Sequence, residues 1–131
     1  MRKAVYGCAC SLDGYLARED GSVDWLMFSD EVADLMKDSW ARFDCMLMGR
    51  KTYEIAIANT AGAAEDPDID TYVFSTTMDS TEHKGATIVS TGAADLVRSL
   101  KARDGKDICL MGGGLLAASL SEAGVIDEGW V

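Results

Sequence analysis

Residues 107–117 read DICLMGGGLLA, and this stretch decides the fold. The first five residues form a short, mostly apolar run, which predicts a buried strand. Three glycines follow, and residues 115–123 then predict a helix that Gly124 ends. A buried strand that turns directly into a helix is the repeating unit of an α/β domain.

The same unit recurs along the chain. Further strands are predicted at 3–10, 44–48, 71–75 and 86–90, and further helices at 29–42, 50–57 and 92–103. Strands that alternate with helices predict one α/β domain over residues 1–131, with a mainly parallel sheet. Such sheets bind ligands at the carboxyl ends of their strands.

Composition limits the partners and the compartment. A formal charge of −10 argues against binding nucleic acid or an anionic membrane surface, and no segment is long enough to span a bilayer. The cysteines, Cys8, Cys10, Cys45 and Cys109, fall in strand-like runs, and His83 is the single histidine. This pattern indicates buried, reduced thiols in a reducing cytoplasm and no metal site.

The triple glycine favours contact with a phosphate group. Gly112, Gly113 and Gly114 carry no Cβ, so another molecule can approach their backbone closely. The helix that follows directs free N–H groups and its positive dipole end to the same place. This arrangement suits a diphosphate, although a tight strand-to-helix turn would need the same residues.

A second glycine turn follows the strand at 44–48. Gly49 permits close approach, Thr52 offers a hydroxyl near a helix start, and Arg50 and Lys51 supply charge. Two adjacent cations in so acidic a chain suit a ribose 2′-phosphate, which arginine binds in a bidentate manner. A solvated surface pair is the alternative.

Three more places carry candidate polar groups. Ser75 and Thr76 end the third predicted strand, where their hydroxyls either contact an adenosine or cap a turn. Asp13 and Trp25 lie in the first long loop, and Asp30 lies at the start of the next helix. A carboxyl group here could hold or protonate a nitrogen heterocycle, while Asp30 could equally be an N-cap and Trp25 a core anchor.

Taken in order, several of these segments resemble the dihydrofolate-reductase-like superfamily. The similarity is closest to the C-terminal reductase domain of the bifunctional riboflavin-biosynthesis deaminase–reductase, and it covers essentially the whole chain. The matching segments are 11–15 (SLDGY), 24–26 (DWL), 47–54 (LMGRKTYE), 72–75 (YVFS), 111–114 (MGGG) and 126–128 (IDE).

The resemblance implies a three-layer α/β/α fold and hydride transfer from NADPH to a small heterocyclic or carbonyl substrate. In the riboflavin enzyme the substrate is a ribosylamino-pyrimidine phosphate. The implied cofactor residues are Gly49, Arg50, Lys51, Thr52, Ser75, Thr76, Gly112, Gly113, Gly114 and Leu115. Asp13, Trp25 and Asp30 are the implied substrate residues, and Asp13 and Asp30 the implied catalytic ones.

The resemblance also implies strands beyond residues 126–128, whereas this sequence ends at 129–131. We therefore expect a sheet that lacks the last strands, and a homodimer, because an unfinished sheet edge invites pairing. The alternative to a reductase is a non-catalytic remnant of the same fold that binds a nucleotide or dimerises.

Overall fold

The computed structural model describes residues 1–27, 29–59, 68–79 and 85–131; His83 lies outside these ranges. The strands are β1 (Ala4–Gly7), β2 (Phe43–Gly49), β3 (Asp70–Phe74), β4 (Thr87–Val89), β5 (Asp107–Gly112) and β6 (Glu128–Trp130). The helices are α1 (Asp30–Trp40), α2 (Arg50–Asn59), α3 (Ala93–Lys101) and α4 (Gly114–Glu122). Within the described ranges, no helix is long and apolar enough to cross a bilayer.

The six strands form one sheet in the order β4-β3-β2-β5-β1-β6, and every described pairing is parallel. The predicted α/β fold with a mainly parallel sheet is thereby confirmed. The sequence reading placed no strand at β6. This strand has three residues and pairs with β1 alone, with Gly7 beside Trp130, so it is too short to show a periodicity.

Two apolar clusters hold the three layers together. Alternate side chains of β2 point to opposite faces of the sheet. Leu47 packs with residues of α3 and α4 on one face, including Leu100 and Leu120. On the other face, Met46 packs with Tyr53 of α2. The glycine turns at the ends of β2 and β5 are therefore anchored by strands buried on both faces.

Helix α1 forms as predicted but packs differently. Ser29 is its N-cap, since its side chain accepts a hydrogen bond from the Val32 N–H at 3.3 Å. Apolar residues recur at helical spacing in α1, which is typical of a helix face that packs on a core, yet α1 has no buried residue and Leu35 is 70 % exposed. Only Trp40, in its last turn, packs against an apolar cluster. Periodicity predicts which side chains share a face, but it does not predict how closely that face approaches the sheet.

A network of ion pairs joins the amino ends of four strands. The Arg42 guanidinium donates to Asp107 at 2.7 Å and to Glu128 at 3.0 Å, and it lies 5.5 Å from the centre of the Trp130 ring. Lys3 donates to Glu128 at 2.8 Å. The network ties the short strand β6 to β1, β2 and β5, which helps to explain why three residues suffice for a strand.

These contacts lower the pKa values of the carboxyl groups. Burial alone would raise the pKa of Asp107, but the Lys3 N–H and the Arg42 guanidinium together bring it below its ordinary value. Hydrogen bonds from Lys3 and then Arg42 lower the pKa of Glu128. In both cases the unfolded chain binds protons more tightly than the folded chain. The network therefore stabilises the fold above about pH 4, and this contribution is lost as the pH falls through the lowered values.

We expect the substitution Arg42→Met to lower the melting temperature at pH 7 by about 5 °C, because it leaves Asp107 and Glu128 without their shared guanidinium. The matched control is Arg98→Met, which removes an exposed pair with Asp95 and an exposed hydrogen bond to the Ala123 carbonyl oxygen, and which should change the melt less. Circular dichroism at pH 7 and pH 3 measures both. A difference between the two variants that does not shrink from pH 7 to pH 3 would contradict the account.

Candidate functional site

The two glycine turns found in the sequence lie side by side. Strands β2 and β5 are neighbours, and an irregularity in their register brings Met48 level with Gly112. A Cβ atom at Gly49 would lie 3.6 Å from the Gly113 nitrogen and 3.8 Å from the Gly112 oxygen. One ligand at this edge of the sheet could therefore touch both turns.

The triple glycine leaves the start of α4 uncovered. Gly113 is the N-cap of α4 and makes no side-chain cap bond, so the first N–H groups of the helix have no intrahelical or capping partner. Gly112 has a φ of 117°, a conformation that side chains disfavour, and the Gly112–Gly113 peptide bond is cis. Leu115, in the first turn of α4, is 91 % exposed. The turn thus offers bare backbone N–H groups to an anion.

The basic residues of the second turn open α2. Arg50 is the first residue of this helix and makes one long ion pair, 3.7 Å, with Glu54, in which both side chains are about half exposed. Lys51 is exposed. Thr52 faces the triple glycine, since its hydroxyl lies 3.9 Å from where a Cβ of Gly112 would be. The structure therefore brings the predicted cationic turn to the predicted phosphate turn.

A cavity of about 460 Å³ continues this edge beyond β2. The strand register explains the position of this cavity. Phe74 of β3 pairs with Gly49 of β2 on one side and with Val89 of β4 on the other, so the three strands end at the same level. The cavity is lined by residues that follow β2, β3 and β4, including Arg50 after β2 and Thr76 after β3. The volume is within the range of sites for small organic ligands.

The start of α3 also lines this cavity, which sequence reasoning missed. Ser90, Thr91 and Gly92 follow β4, and Gly92 is the N-cap of α3 without a side-chain cap bond. The sequence does contain the pattern, since Ser-Thr-Gly stands between a predicted strand and a predicted helix, as glycine does in the other two turns. What the sequence alone does not give is that β4 lies two strands from β2.

Ser75 has a structural role at the same place. Its hydroxyl oxygen accepts hydrogen bonds from the N–H groups of Thr77 and Met78, both at 3.2 Å. Within the chain, Ser75 therefore caps the turn, which is one of the two predicted alternatives. Ser75 and Thr76 nevertheless both line the cavity beside Arg50.

The first loop lies against the triple glycine. Leu16 Cδ1 would be 3.8 Å from a Cβ of Gly114, so the loop after β1 covers this turn. Its described residues, 8–27, form no strand, and the two predicted Asp-Gly turns are present, with positive φ at Gly14 and Gly21. Asp13 accepts a hydrogen bond from the Ser11 hydroxyl within this loop.

The three predicted substrate residues do not form a connected cluster. Trp25 is half-buried, whereas Asp13 and Asp30 are exposed. Asp30 opens α1, but Ser29 caps the helix. In the described part of the chain, no hydrogen bond or ion pair joins Asp13, Trp25 and Asp30. Their convergence on one ligand stays a prediction.

The cysteines supply no evident reactive group at this site. Burial raises the pKa of Cys45 to about 12 and that of Cys109 to about 11, so both thiols are protonated at neutral pH. Cys45 is buried, whereas Cys8, Cys10 and Cys109 are half-buried, so the prediction of buried thiols was wrong for these three. Among the residues that the structure describes, no three His, Cys, Asp or Glu side chains are grouped to hold a metal ion.

The sequence matches the family model of the RibD C-terminal domain over residues 2–131. Among curated proteins, it is 34 % identical to the uncharacterized protein YwjB of Bacillus subtilis (strain 168) over 129 residues, which are 97 % of this chain and 73 % of YwjB. It is 28 % identical to the uncharacterized protein YyaP of the same organism over 139 residues, covering 98 % of this chain and 72 % of YyaP.

A solved structure shares the fold. The protein comes from Shewanella sp. PV-4 and is provisionally assigned to riboflavin biosynthesis. The TM-score is 0.67 and the sequence identity 24 %, with 95 % of this chain and 72 % of that chain covered. At this identity the likeness establishes the architecture, including the parallel sheet whose carboxyl edge carries the two glycine turns.

The positive φ of Gly112 gives a stability prediction. We expect Gly112→Ala to lower the free energy of unfolding by about 1–2 kcal/mol, since an L-residue disfavours that conformation. Gly113→Ala should change it by less than about 0.5 kcal/mol, because Gly113 has a φ of −78° and open space at its Cβ position. Urea unfolding measures both, and equal effects of the two substitutions would contradict the described backbone.

Proposed function

The chain belongs to the RibD C-terminal domain family, and on that basis we propose that it is a reductase that transfers hydride from NADPH to a small heterocyclic or carbonyl substrate. The observation that carries the proposal is the contact between the two glycine turns. A Cβ at Gly49 would touch the backbone of Gly112 and Gly113, so one dinucleotide can lie across both turns.

The residues present fit the diphosphate of such a cofactor. Gly113 and Gly114 begin α4 with no side chain above them, and a diphosphate would accept hydrogen bonds from the N–H groups there. Thr52 lies within reach of the same turn from α2. Any larger side chain at Gly112 would narrow the space between the turns, because it would approach the Thr52 hydroxyl.

The cavity beyond β2 fits the adenosine end. It has the volume of a small-ligand site and joins Arg50 to the hydroxyls that end β3 and β4 and to the uncapped start of α3. A 2′-phosphate placed there would meet the Arg50 guanidinium, while Lys51 adds positive potential next to it. These contacts favour NADPH over NADH, because NADH carries no phosphate at that position.

The substrate would lie between the triple glycine and the first loop. NADPH supplies the hydride, and the chain's own groups position the acceptor. The Asp30 carboxylate, at the start of α1, would hold a nitrogen of the substrate and support its protonation. Asp13 and Trp25 would form the wall of the cleft on the side of the first loop.

We expect NADPH to raise the melting temperature of the protein more than NADH does at the same concentration. Arg50→Gln should raise the dissociation constant of NADPH at least about tenfold, since a charge-assisted pair is lost, and leave that of NADH within about twofold. The matched control is Arg98→Gln, which removes an arginine from α3. Thermal shift and fluorescence titration measure these effects.

Two results would contradict the proposal. If neither nucleotide shifts the melt at millimolar concentration, this chain does not bind the cofactor. If NADPH binds but is not oxidised with any pyrimidine, pterin or carbonyl substrate, the chain is instead a non-catalytic nucleotide-binding member of the fold. Arg50→Gln and Arg98→Gln should then still differ in NADPH affinity, which separates the binding claim from the catalytic one.

A further inference from the structure

Two of the four cysteines lie close together on one face of the chain. Cys8 and Cys10 follow β1 and are half-buried, whereas Ala9 between them is exposed. This alternation indicates that the two thiols share a face and that Ala9 points away from it. Cα atoms two residues apart are at most about 7 Å from one another, and those of a disulfide are usually about 4.4–6.8 Å apart. Since residues 8–10 belong to no strand, a small bend brings the thiols into bonding distance.

The Tyr6 hydroxyl gives a second indication that the two thiols are neighbours. Tyr6 lies two residues before Cys8, so its side chain points to the same face. Its hydroxyl shares a hydrogen bond with the Cys8 thiol. Burial, then this bond, then the charges of Cys8 and Cys10 raise the pKa of Tyr6 to about 12. Both sulfur atoms therefore lie near one hydroxyl group.

Neither thiol of this pair can reach another cysteine of the chain. Cys109 of β5 pairs with Val5 of β1, and Cys8 lies three residues beyond Val5, about 10 Å further along. Cys45 is in β2, one strand farther away. A disulfide cannot bridge Cα atoms more than about 7 Å apart without backbone movement. All four cysteines lie in the described part of the chain, so Cys8 and Cys10 have only each other as partners within it.

The pair lies one strand away from the triple glycine. The Cys8 N–H donates to the Trp130 carbonyl oxygen at 3.1 Å, which holds Cys8 at the end of β1. Strand β1 pairs with β5, the strand that leads into the triple glycine. Cys10 precedes Ser11, whose hydroxyl accepts a hydrogen bond from the Tyr15 N–H at 3.0 Å within the first loop. A bond between the thiols would thus form where that loop begins.

We propose that Cys8 and Cys10 are a redox-active dithiol that closes a reversible disulfide by exchange with a low-molecular-weight disulfide such as oxidised glutathione. The inference goes beyond the reductase proposal and does not depend on it. Disulfides of cytosolic proteins are mostly transient and catalytic or redox-sensing, and two half-buried thiols without another partner suit such a bond.

The exchange takes place in two balanced steps. One thiolate of the pair attacks a sulfur atom of oxidised glutathione, which forms a mixed disulfide and releases one glutathione. The second thiolate attacks the cysteine sulfur of the mixed disulfide, which forms the bond between Cys8 and Cys10 and releases the other glutathione. Two protein thiols are oxidised and one small disulfide is reduced, and the two protons leave with the released thiols.

The first test maps the thiols of the intact, folded protein after incubation with mixtures of reduced and oxidised glutathione. The samples are quenched with acid, alkylated in denaturant and digested with trypsin, which releases peptide 4–18 with Cys8 and Cys10 as its two cysteines. We expect mass spectrometry to show this peptide without two hydrogen atoms and without alkylation, and dithiothreitol to restore both thiols. Cys45 and Cys109 should stay reduced, because their raised pKa values keep them protonated at neutral pH.

The second test removes one thiol at a time. Cys8→Ser and Cys10→Ser should each accumulate a glutathione adduct at least about fivefold above that of the parent chain, because no second thiol displaces the glutathione. The matched control is Cys109→Ser, a change at another half-buried cysteine, which should leave the bond between Cys8 and Cys10 unaffected. The melting temperature of each variant checks the fold, and the peptide map of the parent chain needs no variant.

Three results would overturn the inference. Peptide 4–18 could stay fully alkylated even after incubation with oxidised glutathione alone, or it could carry glutathione on both cysteines. The thiols could also bond to a second protein molecule, which a non-reducing gel would show as a dimer. None of these outcomes bears on NADPH binding, so this inference and the reductase proposal stand or fall separately.

Discussion

The parallel pairing of β2 with β5 is the constraint on which the rest of the structure depends. It brings Met48 level with Gly112 and puts the Gly49 turn in contact with the triple glycine. Both strands are buried, so the turns are held by the apolar clusters on the two faces of the sheet rather than by their own contacts. The glycines keep the space between the turns open, and helices α2 and α4 begin at that space.

Much of this arrangement could be predicted from the sequence, because β2 and β5 are continuous apolar runs that end at glycine. The parts that escaped prediction depend on tertiary context. β6 has three residues and is tied to the sheet through Glu128, whose partners Lys3 and Arg42 are distant in sequence. The role of residues 90–92 follows from the order of strands in the sheet, which no local pattern contains. For α1, the spacing predicted the helix correctly but not its exposure.

The two edges of the sheet use charge in different ways. At the amino edge, Arg42 and Lys3 meet carboxylates closely, and these pairs hold strands together. At the carboxyl edge, the ion pair of Arg50 within the described residues is a long one, 3.7 Å to Glu54. A cation without a close partner is available to a ligand, and this distinction supports the proposed cofactor. A chain with a net charge of −10 could thus still hold an anionic cofactor, because such a ligand needs positive potential only at one place.

The most direct test of the central claim is a titration of ¹⁵N-labelled protein with NADPH, followed by the amide resonances of the two turns. If one dinucleotide spans both, the amides of residues 49–52 and 112–115 should shift together and fit a single dissociation constant. Shifts confined to one turn, or two different constants, would show that no single cofactor touches both and would contradict the account.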